Sequence, residues 1–142
     1  MISMGEKMPE TISGGCLCGK VTFEITDDFK QFHLCHCTEC RKITGSAHAS
    51  NLFASPDNII WLGGAGSIRR YEYPDGDLTT AFCAECGSCV PCLTKNGRWL
   101  VVPAGSLDQD PDIHPQDNIF WSERAGWYDD GLAAIHCDTF PE

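Results

Sequence analysis

HLCHCTECRKITGSAHASN, residues 33–51, carries three cysteines, Cys35, Cys37 and Cys40, in a C-x-C-x-x-C spacing. A tight turn of that kind points three thiolates at one centre, and thiolate sulfur at about 2.3 Å is a preferred donor for tetrahedral Zn²⁺. Three protein ligands leave a fourth position for water or substrate, as in a catalytic zinc site. A fourth ligand from elsewhere in the chain would make the site a structural staple instead. Spacing alone leaves both readings open.

Working outward, seven more cysteines need an explanation. Dense cysteine is typical of small secreted disulfide scaffolds. The chain length, the lack of a signal-like N-terminus and the grouping into C-x-C, C-x-C-x-x-C and C-x-x-C favour metal over disulfides. Cys16 with Cys18, and Cys83 with Cys86, are two knuckles far apart in sequence that together make a Cys₄ site. Closing so long a loop removes unfolded-state entropy, which suits a structural role. Spacing does not say whether Cys16 joins Cys83 or Cys35. Cys89, Cys92 and Cys137 remain; Cys89 could fill the fourth position beside Cys35. The ordinary reading of all three is a small buried hydrophobe.

Composition sets the class. At 142 residues, 42% hydrophobic and 21% charged, the chain reads as one globular domain, 1–142, with an ordered core from about 13 to 140. Disorder is expected only in the first dozen residues and the last few. The net charge of −10, with ten Lys and Arg scattered apart from Arg41 with Lys42 and Arg69 with Arg70, offers no basic face for nucleic acid. The longest apolar runs, 59–62 and 99–102, are strand-sized, so no membrane span is expected. With no apolar leader, the expectation is a cytoplasmic chain.

Local patterns predict an all-β fold of small antiparallel sheets around zinc. Val21, Phe23 and Ile25 alternate with polar residues, a strand with one buried face. Further strands are expected over 31–34, 47–54, 58–62, 68–73, 78–82, 90–94, 99–102 and 118–122. Residues 38–44 make a short helical turn stopped by Gly45. Pro74-Asp75-Gly76-Asp77 and Asn96-Gly97 mark hairpins. No amphipathic helix is evident. Cys37-Thr38-Glu39-Cys40 echoes Cys83-Ala84-Glu85-Cys86.

Together, GGCLCGKV at 14–21, CHCTECRKITGS at 35–46, FCAECGS at 82–88, VPAGSLD at 102–108 and NIFWSERAGWY at 118–128 resemble the glutathione-dependent formaldehyde-activating enzymes. That family also includes the domain of centromere protein V. The resemblance implies a β-tent fold with two zinc ions. Cys16, Cys18, Cys83 and Cys86 would hold the structural ion, and Cys35, Cys37 and Cys40 the catalytic one. It also implies a reaction that joins glutathione and formaldehyde reversibly into S-hydroxymethylglutathione.

The residues themselves fit that chemistry. A zinc with three thiolates is electron-rich and suits a fourth thiol better than hydroxide, and a coordinated thiol is deprotonated outright. Arg41 and Lys42 either offset the anionic centre and hold a substrate carboxylate, or form a solvated face. His36 and His48 are candidates for proton transfer, against the ordinary reading of hydrogen-bonded or exposed histidines. The four tryptophans read as core, with Trp127 and Tyr128 the exceptions. The functional expectation is a zinc-dependent carbon–sulfur lyase-like enzyme acting on a small thiol, glutathione among the candidates. The alternative is a non-catalytic zinc-stapled binding domain in which Cys89 completes the second site.

Overall fold

The computed structural model describes residues 8–141. In chain order it contains β1 (Thr11–Gly15), β2 (Thr22–Thr26), β3 (Gln31–Cys35), α1 (Thr38–Thr44), β4 (Ala49–Ala54), β5 (Ile59–Gly63) and β6 (Ile68–Glu72). There follow β7 (Thr79–Cys83), β8 (Cys89–Val90), β9 (Cys92–Leu93), β10 (Leu100–Pro103), β11 (Asp117–Ile119) and α2 (Tyr128–Ala133). The all-β expectation holds. Three small sheets form, ordered β1-β2-β5, β11-β3-β4-β10-β9 and β6-β7-β8.

The strand pattern explains the packing. In β2, Phe23 and Ile25 face inward while Thr22, Glu24 and Thr26 are half-buried, as a period of two requires. They join Ile12, Phe29, Phe32, Leu52, Leu100 and Val102 in a core between the first two sheets. A second cluster of Val21, Ala81 and Val90 packs on Cys16 and Cys83. A third gathers Cys35, Cys37 and Cys40 on Ala49. The cysteines are therefore part of the core and not appended to it.

Four differences from the sequence reading have local causes. Residues 1–7 of the terminal dozen lie outside the described residues, but Thr11 and Ile12 are strand, because Ile12 pairs with Ile25 and is buried. The strand expected over 90–94 is broken at Pro91, which has no N–H to donate. Cys89 and Val90 pair with β7, whereas Cys92 and Leu93 pair with β10, so the chain changes sheets there. Strand β11 ends at Ile119 and runs parallel to β3, the one parallel pair among the described strands. Phe120 takes φ 54°, a left-handed conformation rare for bulky residues, and turns the chain into a 3-10 turn over Trp121–Glu123. Finally, the tail holds α2, whose Asp129 and Asp130 lie in its first turn, where the helix dipole favours negative charge.

The repeated C-x-E-C is one turn used twice. Arg41 N–H donates to Cys37 O at 2.9 Å, and Gly87 N–H to Cys83 O at 2.8 Å. The first turn continues as α1; the second stops because Gly87 takes φ 78°.

Gly64 fixes how β5 meets the first cysteine knuckle. It has φ 77°, and a Cβ there would stand 2.1 Å from Lys20 O. Gly64→Ala should cost about 2 kcal/mol or more by urea unfolding. Gly66→Ala, with open space at its Cβ, should change stability far less.

Candidate metal centres

The first centre joins two hairpins. Between β1 and β2, Gly19 N–H donates to Cys16 O at 3.1 Å and Cys16 N–H to Val21 O at 3.0 Å. Gly19 takes φ 80°. This knuckle aims Cys16 and Cys18 at Cys83 and Cys86, which follow β7. The four Sγ atoms lie within 4.8 Å of one another, with Cys16–Cys18 at 3.6 Å and Cys18–Cys83 at 3.9 Å. Four sulfurs bonded to one zinc at about 2.3 Å stand about 3.8 Å apart. The donor set therefore fits a tetrahedral metal. Two N–H···S bonds of metal-knuckle type support the centres, from Val21 to Cys16 at 3.2 Å and from Cys40 to Cys37 at 3.3 Å.

Ser88 ties the knuckles together, a role the sequence did not signal. Its hydroxyl accepts from Leu17 N–H at 3.0 Å and lies 3.2 Å from Cys86 Sγ, donating to that sulfur when it is ionised. Hydrogen bonds from the Ser88 side chain and backbone hold Cys86 down to about 5, well below an ordinary thiol.

The second centre is built by β3 and α1. Cys35 ends β3, Cys37 caps α1 and Cys40 lies in its first turns. Their Sγ atoms also fall within 4.8 Å of one another, and all three residues are buried. The hydrogen bond with Cys40 holds Cys35 down to about 6, and the same bond, with burial, pushes Cys40 up. Each centre thus offers a thiolate at neutral pH and can hold a metal ion. Cys89 is not among these sulfurs. It is half-buried on β8, its Sγ 3.9 Å from Thr80 Oγ1. Cys92 is half-buried beside Thr79, while Cys137 is exposed on the tail rather than buried.

His36, between Cys35 and Cys37 and just past the end of β3, does not join the three sulfurs. The ring is fully buried, with Nε2 2.9 Å from Asn118 Oδ1 and Nδ1 without a hydrogen-bond partner among the described residues. It packs against His48, Trp121 and Tyr128 with ring centroids 5.0, 5.1 and 4.8 Å away. Burial lowers the pKa of His48, which favours its neutral form. Glu123 anchors α1 from the same segment, accepting from Thr38 N–H and Oγ1 and, through its backbone carbonyl, from Arg41. His33 is occupied by Asp117 and Gln31. Trp61 packs on the core, whereas Trp127 is exposed.

An all-β domain whose core includes one group of four thiols and one of three is a cysteine-centred, metal-competent fold. The sequence profile described as "Glutathione-dependent formaldehyde-activating enzyme" matches residues 11–123, and the chain belongs to that family. No curated protein matches it significantly. The crystal structure of a Rhodobacter sphaeroides protein, solved as a structural-genomics target, superposes with a TM-score of 0.57 at 19% identity, covering 75% of this chain and 98% of that one. That likeness bears on fold. Among the described residues no helix is long and apolar enough to cross a membrane.

Asn118→Ala should leave the buried His36 Nε2 without its partner and cost about 1–3 kcal/mol by chemical denaturation. A loss below about 0.5 kcal/mol would show that another group takes over the bond.

Proposed function

We propose that the chain is a two-zinc enzyme that forms or cleaves a thiol–aldehyde adduct of the S-hydroxymethylglutathione type. Cys16, Cys18, Cys83 and Cys86 hold the structural ion, and Cys35, Cys37 and Cys40 the catalytic one. One observation carries this reading: the first group has four sulfurs and the second three, with no further Cys, His, Asp or Glu donor grouped with it among the described residues. Zinc held by three thiolates supplies a fourth position at which a substrate thiol gives up its proton.

The reaction is reversible addition. The thiol sulfur pair forms the C–S bond to the aldehyde carbon, the C=O π pair moves to oxygen, and the proton lost by the thiol ends on that oxygen. Cleavage runs the same steps backward. His48, neutral and half-buried, with Ser50 Oγ 3.4 Å from its Nδ1, carries that proton between sulfur and oxygen. Cys89 stands apart from the three sulfurs, which counts against the binding-domain alternative. Ten unpaired cysteines suit a reducing compartment, the cytoplasm.

Two experiments test the assignment. Cys16→Ser or Cys83→Ser should lower thermal stability far more than Cys40→Ser, because metal affinity at the four-sulfur site is folding free energy. Equal losses, or a larger loss for Cys40→Ser, would contradict this assignment of the two centres. Exchange of ¹³C-formaldehyde with a thiol adduct, followed by NMR, should accelerate with wild-type protein and return to the uncatalysed rate with folded Cys40→Ser. No acceleration with any thiol would overturn the enzyme reading.

A further inference from the structure

A cavity of about 180 Å³ adjoins the residues packed on the three-thiol centre, although none of the three cysteines lines it. Ala49 and Leu78, which pack against Cys35, Cys37 and Cys40, also line it, together with Ile43, Thr44, His48 and Cys89. Its remaining walls add Ser, Thr, Asn, Val, Ala, Pro and Gly residues and Cys92, and no Lys, Arg, Asp or Glu among the described residues. The volume falls below the range of about 300–1,000 Å³ usual for drug-sized ligands.

The helix explains why charge is missing. With 3.6 residues per turn, Cys40, Ile43 and Thr44 are neighbours on one face of α1, and Thr38, Arg41 and Lys42 occupy the other. Ile43 and Thr44 of the first face line the cavity; the second face lines a separate surface depression with Trp127, and Lys42 also lines, with Glu39, a groove that shares Ile43 and Leu78 with the cavity. The Arg41 guanidinium is also committed to Glu123 O at 3.0 Å. Neither basic side chain lines the cavity, which favours the solvated-face reading of the pair over a carboxylate held inside it. A tripeptide thiol such as glutathione brings two carboxylates and an ammonium, and burying them without partners costs several kcal/mol or more.

We propose that the thiol used by this chain is small and uncharged, and that it and its hydroxyalkyl adduct sit in this cavity, with the hydroxyls of Ser50, Thr79 and Thr80 and the Asn51 amide available to the adduct hydroxyl. The proposal rests on the zinc–thiol reading above and narrows its substrate.

The test compares thiols that separate charge from size. The full chain loaded with cobalt is titrated at one pH with 2-mercaptoethanol, with mercaptoacetate and with glutathione, and a fourth sulfur is read from the visible absorption. Constants are corrected for each thiol's own pKa. 2-Mercaptoethanol should bind about tenfold or more tighter than either charged thiol. Thr80→Lys, which puts a cation in the lining, should reduce its advantage over mercaptoacetate by about tenfold. If that variant does not fold, the wild-type series still decides. Glutathione or mercaptoacetate binding as tightly as 2-mercaptoethanol would overturn the substrate inference and leave the zinc–thiol reading standing. An unchanged spectrum with all three would overturn both.

Discussion

Convergence of thiol sulfurs is the constraint on which this fold depends. Four Sγ atoms held within 4.8 Å of one another cannot all be thiolates without a cation among them, since like charges at that distance repel strongly. Those sulfurs join the turn between β1 and β2 to the end of β7, and they bring the first and third sheets together. Cys16 and Cys83 pack directly on Val21, Ala81 and Val90. The hydrophobic cluster there is small, so the metal-competent centre and the apolar contacts act as one unit. Small domains with limited cores are commonly stapled in this way.

The two centres differ in what surrounds them. The four-sulfur group reaches the surface through the exposed Cys18. The three-sulfur group is buried beneath Ala49, Leu78 and Ile119, next to an uncharged cavity. His36 stands behind it with one ring nitrogen held by Asn118 and the other unpartnered among the described residues. The strained Phe120 belongs to the same place, because it turns the chain so that Trp121 meets the His36 ring.

Much of this was legible in the sequence because cysteine spacing and strand alternation are local signals. The short helix at 38–44 and the hairpins at Gly76 and Asn96-Gly97 follow from a few adjacent residues, whereas the grouping of Cys16 and Cys18 with Cys83 and Cys86 was implied by the family resemblance and not by spacing. What escaped was long-range. Pairing of β11 with β3, the role of Ser88 between the knuckles and the contact of Asn118 with His36 depend on residues distant in the chain that carry no distinctive spacing. The sheet change at Pro91 was readable in principle, since proline cannot donate within a strand. That Ile43 and Thr44, and not Arg41 and Lys42, line the cavity required knowing which face of α1 meets β4.

The central claim, that one centre is complete in sulfur and the other has a position open, is tested most directly by anomalous diffraction at the zinc edge from a crystal of the purified chain. Two peaks are expected. One should be bonded by Cys16, Cys18, Cys83 and Cys86, and the other by Cys35, Cys37 and Cys40 with a fourth ligand that the protein does not supply. A single peak, a disulfide within either group, or Cys89 sulfur bonded to the second metal would contradict the account.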